Sequence, residues 1–153
     1  MITKEMEKTT KPIVVDANNQ IMGRLASNVA KALLKGEHII IVNAEKTLIS
    51  GNKRNIMYDH MKKLEITSKV NPVYTPKHSK QPDRMLRRTV RGMLPRRKSS
   101  GVDAFKRLRV CIGTPEEYST FEKLTFENAK ARRPLPLYMT LAEISSRRGW
   151  SEE

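Results

Sequence analysis

Apolar positions change period several times along the chain, and each change predicts an element. The run Ile13 to Ala17 ("IVVDA") reads as a short buried strand, stopped by the turn-prone pair Asn18 and Asn19. From Gly23 onward, Leu25, Ala26, Val29, Ala30, Leu33 and Leu34 fall on one face of a helix. Gly36 stands where a left-handed helix cap is expected. Ile39 to Val42 is too continuously apolar and β-branched for a surface strand, so it should be covered on both faces. Strand, helix and strand in this order form a βαβ unit with parallel strands; a mixed antiparallel arrangement is the alternative.

A second helix is expected over Lys53 to Leu64, with Ile56, Met57, His60, Met61 and Leu64 inward and His60 a hydrogen-bonded core histidine. "SKVNPVYTPKHSKQP" has three prolines and no helical period, so it predicts an extended excursion. A helix then starts at Pro82. Leu86, Val90, Met93 and Leu94 form its apolar stripe, Met85 the stripe's edge, and Arg84, Arg87, Arg88 and Arg91 the opposite side. Pro95 should end it. "PRRKSSG" follows as a non-helical basic loop in which Gly92 before it and Gly101 at its end allow close backbone approach.

Beyond it, a helical turn leads into a strand centred on Val110 and Ile112. Thr114 and Pro115 mark a further helix start as cap and first residue, and "RRPLPLY" a stiff linker. Thr140 and Glu143 make a capping-box pair, and Gly149 ends that last helix. The order of elements predicts an α/β fold with a small, mainly parallel sheet and a basic helix-loop excursion, about 69–107, before its last strand. Residues 1–11 read as a mobile polar leader and 12–150 as a single domain.

Charge changes this picture by giving the excursion a task. The 153-residue chain carries a net charge of +14, yet Lys77 to Arg109 alone holds twelve Lys or Arg against two Asp, a balance of +10. Such a density is best tolerated beside a polyanion. A disordered tail or a localisation signal has no need of the apolar stripe between the arginines. A membrane-surface helix would carry bulky aromatics, which this stretch lacks. The remaining reading is a helix docked by its stripe, presenting arginines whose planar forks suit phosphate. Aromatics are 5% of the chain, so recognition of folded RNA by backbone and shape fits better than single-strand stacking.

Catalytic signatures are weak. The first strand-to-helix link, "NNQIMGRLAS", has one glycine, so it offers neither a P-loop nor a dinucleotide fingerprint. His38, His60 and His78 lack metal-ligand spacing, and Cys111, the single cysteine, sits in an apolar strand as a small hydrophobe. Asp16 and Glu45 lie near strand ends, where hydrogen bonding in turns accounts for them. No metal, cofactor or small-molecule substrate is expected. An enzyme acting on RNA or nucleotides remains the rival class.

Two blocks resemble a known family. "VVDANNQIMGRLASNVAKALLKGEHIIIVNAEKTLISG" and "LRRTVRGMLPRRKSSGVDAFKRLRVCIGTPEEY", the second above all, resemble the universal ribosomal family of large-subunit protein thirteen in its archaeal and eukaryotic form. The resemblance implies a three-layer α/β fold and a structural, non-enzymatic role on large-subunit (23S-type) rRNA. It also implies early joining in assembly, neighbouring ribosomal proteins as partners, and a cytoplasmic location without membrane contact. Motif positions carry over Arg88, Arg91, Gly92, Arg96 and Arg97 as RNA contacts. Arg84, Arg87, Lys98, Lys77, His78 and Lys80 join them on charge, and Lys53 with Arg54 form a second contact at a helix start. The lead-in "KHSKQPDRM" departs from the family's pattern, and the lack of a long C-terminal helical extension favours an archaeal source.

Overall fold

The computed structural model describes residues 12–151, so the expected leader lies outside the described residues. The described residues begin with β1 (Ile13–Asp16), α1 (Met22–Leu34) and β2 (Ile39–Val42), and β1 pairs with β2 in parallel. β3 (Leu48–Ser50) and α2 (Lys53–Glu65) follow. After the proline-rich stretch come α3 (Pro82–Met93), α4 (Ser99–Lys106) and β4 (Leu108–Val110). The last elements of the described residues are β5 (Lys123–Leu124), β6 (Tyr138–Thr140) and α5 (Leu141–Ser146).

The main sheet has the order β4-β2-β1-β5, with every pairing parallel; β3 and β6 form a separate antiparallel pair. This is the expected three-layer α/β arrangement with a small, mainly parallel sheet. All four residues of β2 are buried, as its central place in the sheet requires. Val15, Ile39, Ile41 and Leu108 pack into one large cluster with α1, α3 and α4. On the other face Val14, Ile40 and Val42 meet Tyr118, so the two outer layers are unequal. The turn residues follow from backbone demands: Asn19 and Asn43 adopt positive φ of 58° and 55°, which asparagine tolerates better than most residues.

Several expectations need correction. Leu34 is exposed, because the helix ends at that residue and turns it past the core edge. In α2 only Ile56 is buried; Met61 and Leu64 are exposed and His60 is half-buried with no hydrogen bond among the described residues, so it is no core histidine. The reason is placement, since α2 meets the small β3–β6 pair through contacts with β6 and not the main sheet. Met93 is 42% exposed and leaves the apolar stripe, which continues instead through Leu94. The helix before β4 starts at Ser99, earlier than expected, and β4 ends at Val110, so Ile112 lies outside the strand. Thr114 caps nothing: Pro115 flanks a three-residue 3-10 turn, Glu116–Tyr118, while the Thr114 hydroxyl donates to Asn43 at 3.4 Å. The excursion does not precede the last strand, because β5 and β6 come after β4.

Of the expected capping-box pair on α5 one half is present: the Thr140 side chain accepts from the Glu143 N–H at 3.1 Å, while the Glu143 carboxylate turns to Lys53. Leu86→Ala, which empties a fully buried site, should cost about 2–5 kcal/mol in chemical denaturation. Met93→Ala, on the same helix but exposed, should change stability by no more than about 0.5 kcal/mol.

Candidate nucleic-acid interface

α3 owes its direction to its two faces. Pro82 occupies the first helical turn with Asp83, where a missing N–H and a negative charge are both favourable. Leu86 and Val90 are fully buried and Leu94 nearly so, against α1, β4 and α5. Thr89 bridges to α1, its hydroxyl 3.7 Å from the Met22 sulfur. The helix stops where Pro95 forces Leu94 into an extended conformation, with φ −95° and ψ 149°.

Arg84, Arg87 and Arg88 consequently stand in solvent, and Arg91 is half-buried. Arg87 lies 4.8 Å over the Phe105 ring, a cation–π contact that steadies its guanidinium. Arg88 donates to the Lys77 carbonyl and so ties the excursion to the helix. Lys77, His78 and Lys80 thereby join Arg84 and Arg88 around one cleft of about 470 Å³. A neighbouring hollow of about 300 Å³ gathers Arg84, Arg87, Arg88 and Arg91. Neither is lined by a carboxylate.

Arg96, Arg97 and Lys98 occupy the exposed turn after Pro95. That turn is short, because α4 begins at Ser99. Its shape depends on Gly101, where a Cβ would stand 2.2 Å from the Pro95 carbonyl oxygen. Gly101 is therefore required for packing α4 against its own chain, not for the approach of a partner. Gly92 is exposed with open space around it, which leaves its backbone accessible.

The structure does not bring Lys53 and Arg54 into the clefts. They open α2, and the Lys53 ammonium is held by the Glu143 carboxylate of α5 at 3.1 Å. A pair this exposed contributes about 0–1 kcal/mol, but it occupies Lys53. Arg54 remains exposed there.

Sequence reasoning missed a further group. Arg148 and Lys63 join His60, His78, Met22 and Met85 around a hollow of about 360 Å³, and Trp150 stands at the rim of the 470 Å³ cleft. No sequence signal links these residues, which come from separate parts of the chain. His60 has its pKa lowered, first by burial and then by the charges of Lys63 and Arg148; Asp59 opposes this and His78 adds to it.

The acids at the strand ends are engaged in hydrogen bonds. Asp16 accepts from the Asn18 N–H at 3.0 Å and the Asn43 amide at 2.9 Å. Buried Glu45 accepts from the Gly113 N–H at 3.0 Å. Cys111 is half-buried, and burial pushes its thiol pKa up, away from a reactive thiolate. Among the described residues no group of three His, Cys, Asp or Glu is placed to hold a metal ion, and no helix is long and apolar enough to cross a membrane.

The chain is similar to known proteins along most of its length. The sequence profile of the family described as Ribosomal protein L13 matches residues 10–117. The large ribosomal subunit protein uL13 of Archaeoglobus fulgidus is 45% identical over 134 residues, covering 86% of this chain and 84% of its own. The uL13 protein of Methanocaldococcus jannaschii is 43% identical over 137 residues, covering 89% and 96%. That of Sulfurisphaera tokodaii is 40% identical over 134 residues, covering 87% and 91%.

Two measurements check this geometry. Gly101→Ala should destabilise the protein by about 1–3 kcal/mol in chemical denaturation, since backbone must shift to admit the methyl group. The lowered pKa of His60 means the unfolded chain holds that proton more tightly. Its contribution to stability is thus present above the ordinary value of 6.5 and lost as pH falls through the folded value. The denaturation midpoint of His60→Gln should accordingly fall less than that of the wild type across this range.

Proposed function

The chain belongs to the ribosomal protein L13 family, and from that premise we propose that it is a structural constituent of the large ribosomal subunit that binds large-subunit rRNA. It acts as a single non-enzymatic α/β domain over residues 12–150, in the cytoplasmic ribosome. The observation that carries this reading is the carboxylate-free grouping of cations on α3 and the excursion, anchored from behind by Leu86, Val90 and Leu94.

In this reading Arg84, Arg87, Arg88 and Arg91 meet phosphates along one surface, with Lys77, His78 and Lys80 beside them. Arg96, Arg97 and Lys98 reach further on the turn after Pro95, next to the open backbone of Gly92. Arginine suits such contacts because its fork bonds phosphate through two N–H groups at once. Arg54 is a secondary contact, and Lys53 contributes only if it leaves Glu143. A folded platform needing no cofactor is suited to joining rRNA early in assembly. Neighbouring ribosomal proteins would meet other surfaces, among them the exposed acids Glu116, Glu117, Glu122 and Glu127.

The test is the salt dependence of rRNA binding. Each phosphate neutralised contributes about 0.9 to the slope of log affinity against log salt on a duplex. Arg88→Ala, Arg91→Ala and Arg96→Ala combined should reduce the magnitude of that slope by about 2 to 3 while circular dichroism stays unchanged. An unaltered slope would place the contact face elsewhere. Sedimentation of the protein away from large subunits in a gradient would overturn the ribosomal reading itself.

A further inference from the structure

Charge does not account for every residue of the 470 Å³ cleft. Trp150, the single tryptophan of the chain, stands at its rim with Lys77, His78, Lys80, Arg84 and Arg88. The indole is half-buried and belongs to neither apolar cluster, so core packing does not explain its presence there. Its backbone is nonetheless held in place. Gly149 takes a φ of +81°, and the Trp150 N–H donates to the Ser145 carbonyl at 3.0 Å, which folds the chain back after α5.

A flat indole beside clustered cations and no acid is the combination that captures an unstacked nucleotide. Every base offers a π-face to the ring, while the cations hold the phosphates on either side. Folded RNA presents such bases at bulges and loops. The cleft volume lies within the range of sites that enclose small organic groups.

Building on the RNA-binding reading above, we propose that this cleft takes one unstacked nucleotide of the bound RNA, its base against Trp150. The flanking phosphates lie on Arg84, Arg88, Lys77 and Lys80. This departs from recognition by backbone and shape alone. One position of the RNA is held by its base, and because stacking tolerates any base, the site selects for an unpaired nucleotide more than for a sequence.

Trp150 itself reports the outcome, being the one tryptophan in the full chain. Its emission is followed on adding single-stranded hexaadenylate or an abasic hexamer of equal charge at low salt. Filter retention of large-subunit rRNA is measured in parallel. Hexaadenylate should quench Trp150 and the abasic hexamer should not. By fluorescence anisotropy of the labelled oligomers, Trp150→Ala should weaken hexaadenylate binding about fivefold or more, and Trp150→Phe less, with abasic binding unchanged in both. Equal quenching by the two oligomers, or no quenching by either, overturns the proposal. If rRNA is still retained in that case, the RNA-binding reading stands without the stacked base; if it is not, both fall. The quenching comparison uses the wild-type chain, so its outcome does not depend on the variants folding.

Discussion

The burial of Leu86, Val90 and Leu94 beneath α3 is the interaction on which the use of this protein's charge depends. Four arginines within one helix repel one another, but like charges on an exposed helix cost only a few tenths of a kcal/mol per pair. Each fully buried aliphatic side chain contributes about 1.5–3 kcal/mol. Burial therefore wins, and it fixes not only that α3 is a helix but which way it faces. Once the stripe is docked on α1, β4 and α5, the arginines have one side of the molecule left to occupy. Arg88 then fastens the proline-rich excursion through the Lys77 carbonyl, and the clefts follow from that attachment.

The ends of the parallel strands show the opposite arrangement. In open α/β sheets this edge is where ligands are commonly held. Here its polar groups bond to one another: Asp16 to Asn18 and Asn43, Glu45 to Gly113, Thr114 to Asn43. Those bonds join the loops after β1, β2 and β4 into one rigid border. The same architecture that holds ligands elsewhere here closes this edge on itself, and in the proposed function the contacts lie instead on α3 and its flanks.

Legibility in the sequence follows the strength of the local pattern. β2, with four consecutive β-branched residues, and α3, with a proline at each end and two clean faces, are readable because each position repeats the same message. β3, β5 and β6 have two or three residues each, too few to show a period, and their pairing is made by contacts distant in sequence. α2 misleads in a different way. Its apolar residues have helical spacing, yet it packs beside β6 rather than on the main sheet, so Met61 and Leu64 stay in solvent. Gly101 suggests room for a partner when only its neighbours in sequence are considered, but the close neighbour in space is Pro95 of the same chain.

By itself the sequence determined the α/β class, the limits of α3 and the inward direction of Val90 and Leu94. It also determined that one basic segment dominates the charge, because periodicity, proline and net charge act over a few adjacent residues. Only the tertiary structure decided which cations share a cleft, that Lys53 is held by Glu143, and that His60, Arg148 and Trp150 stand beside the excursion. His60 and the turn carrying Arg148 and Trp150 are far from the excursion in the chain, and no local pattern encodes their meeting. It is produced when α5 packs against α3 and carries the C-terminal turn to the rim of the arginine cleft.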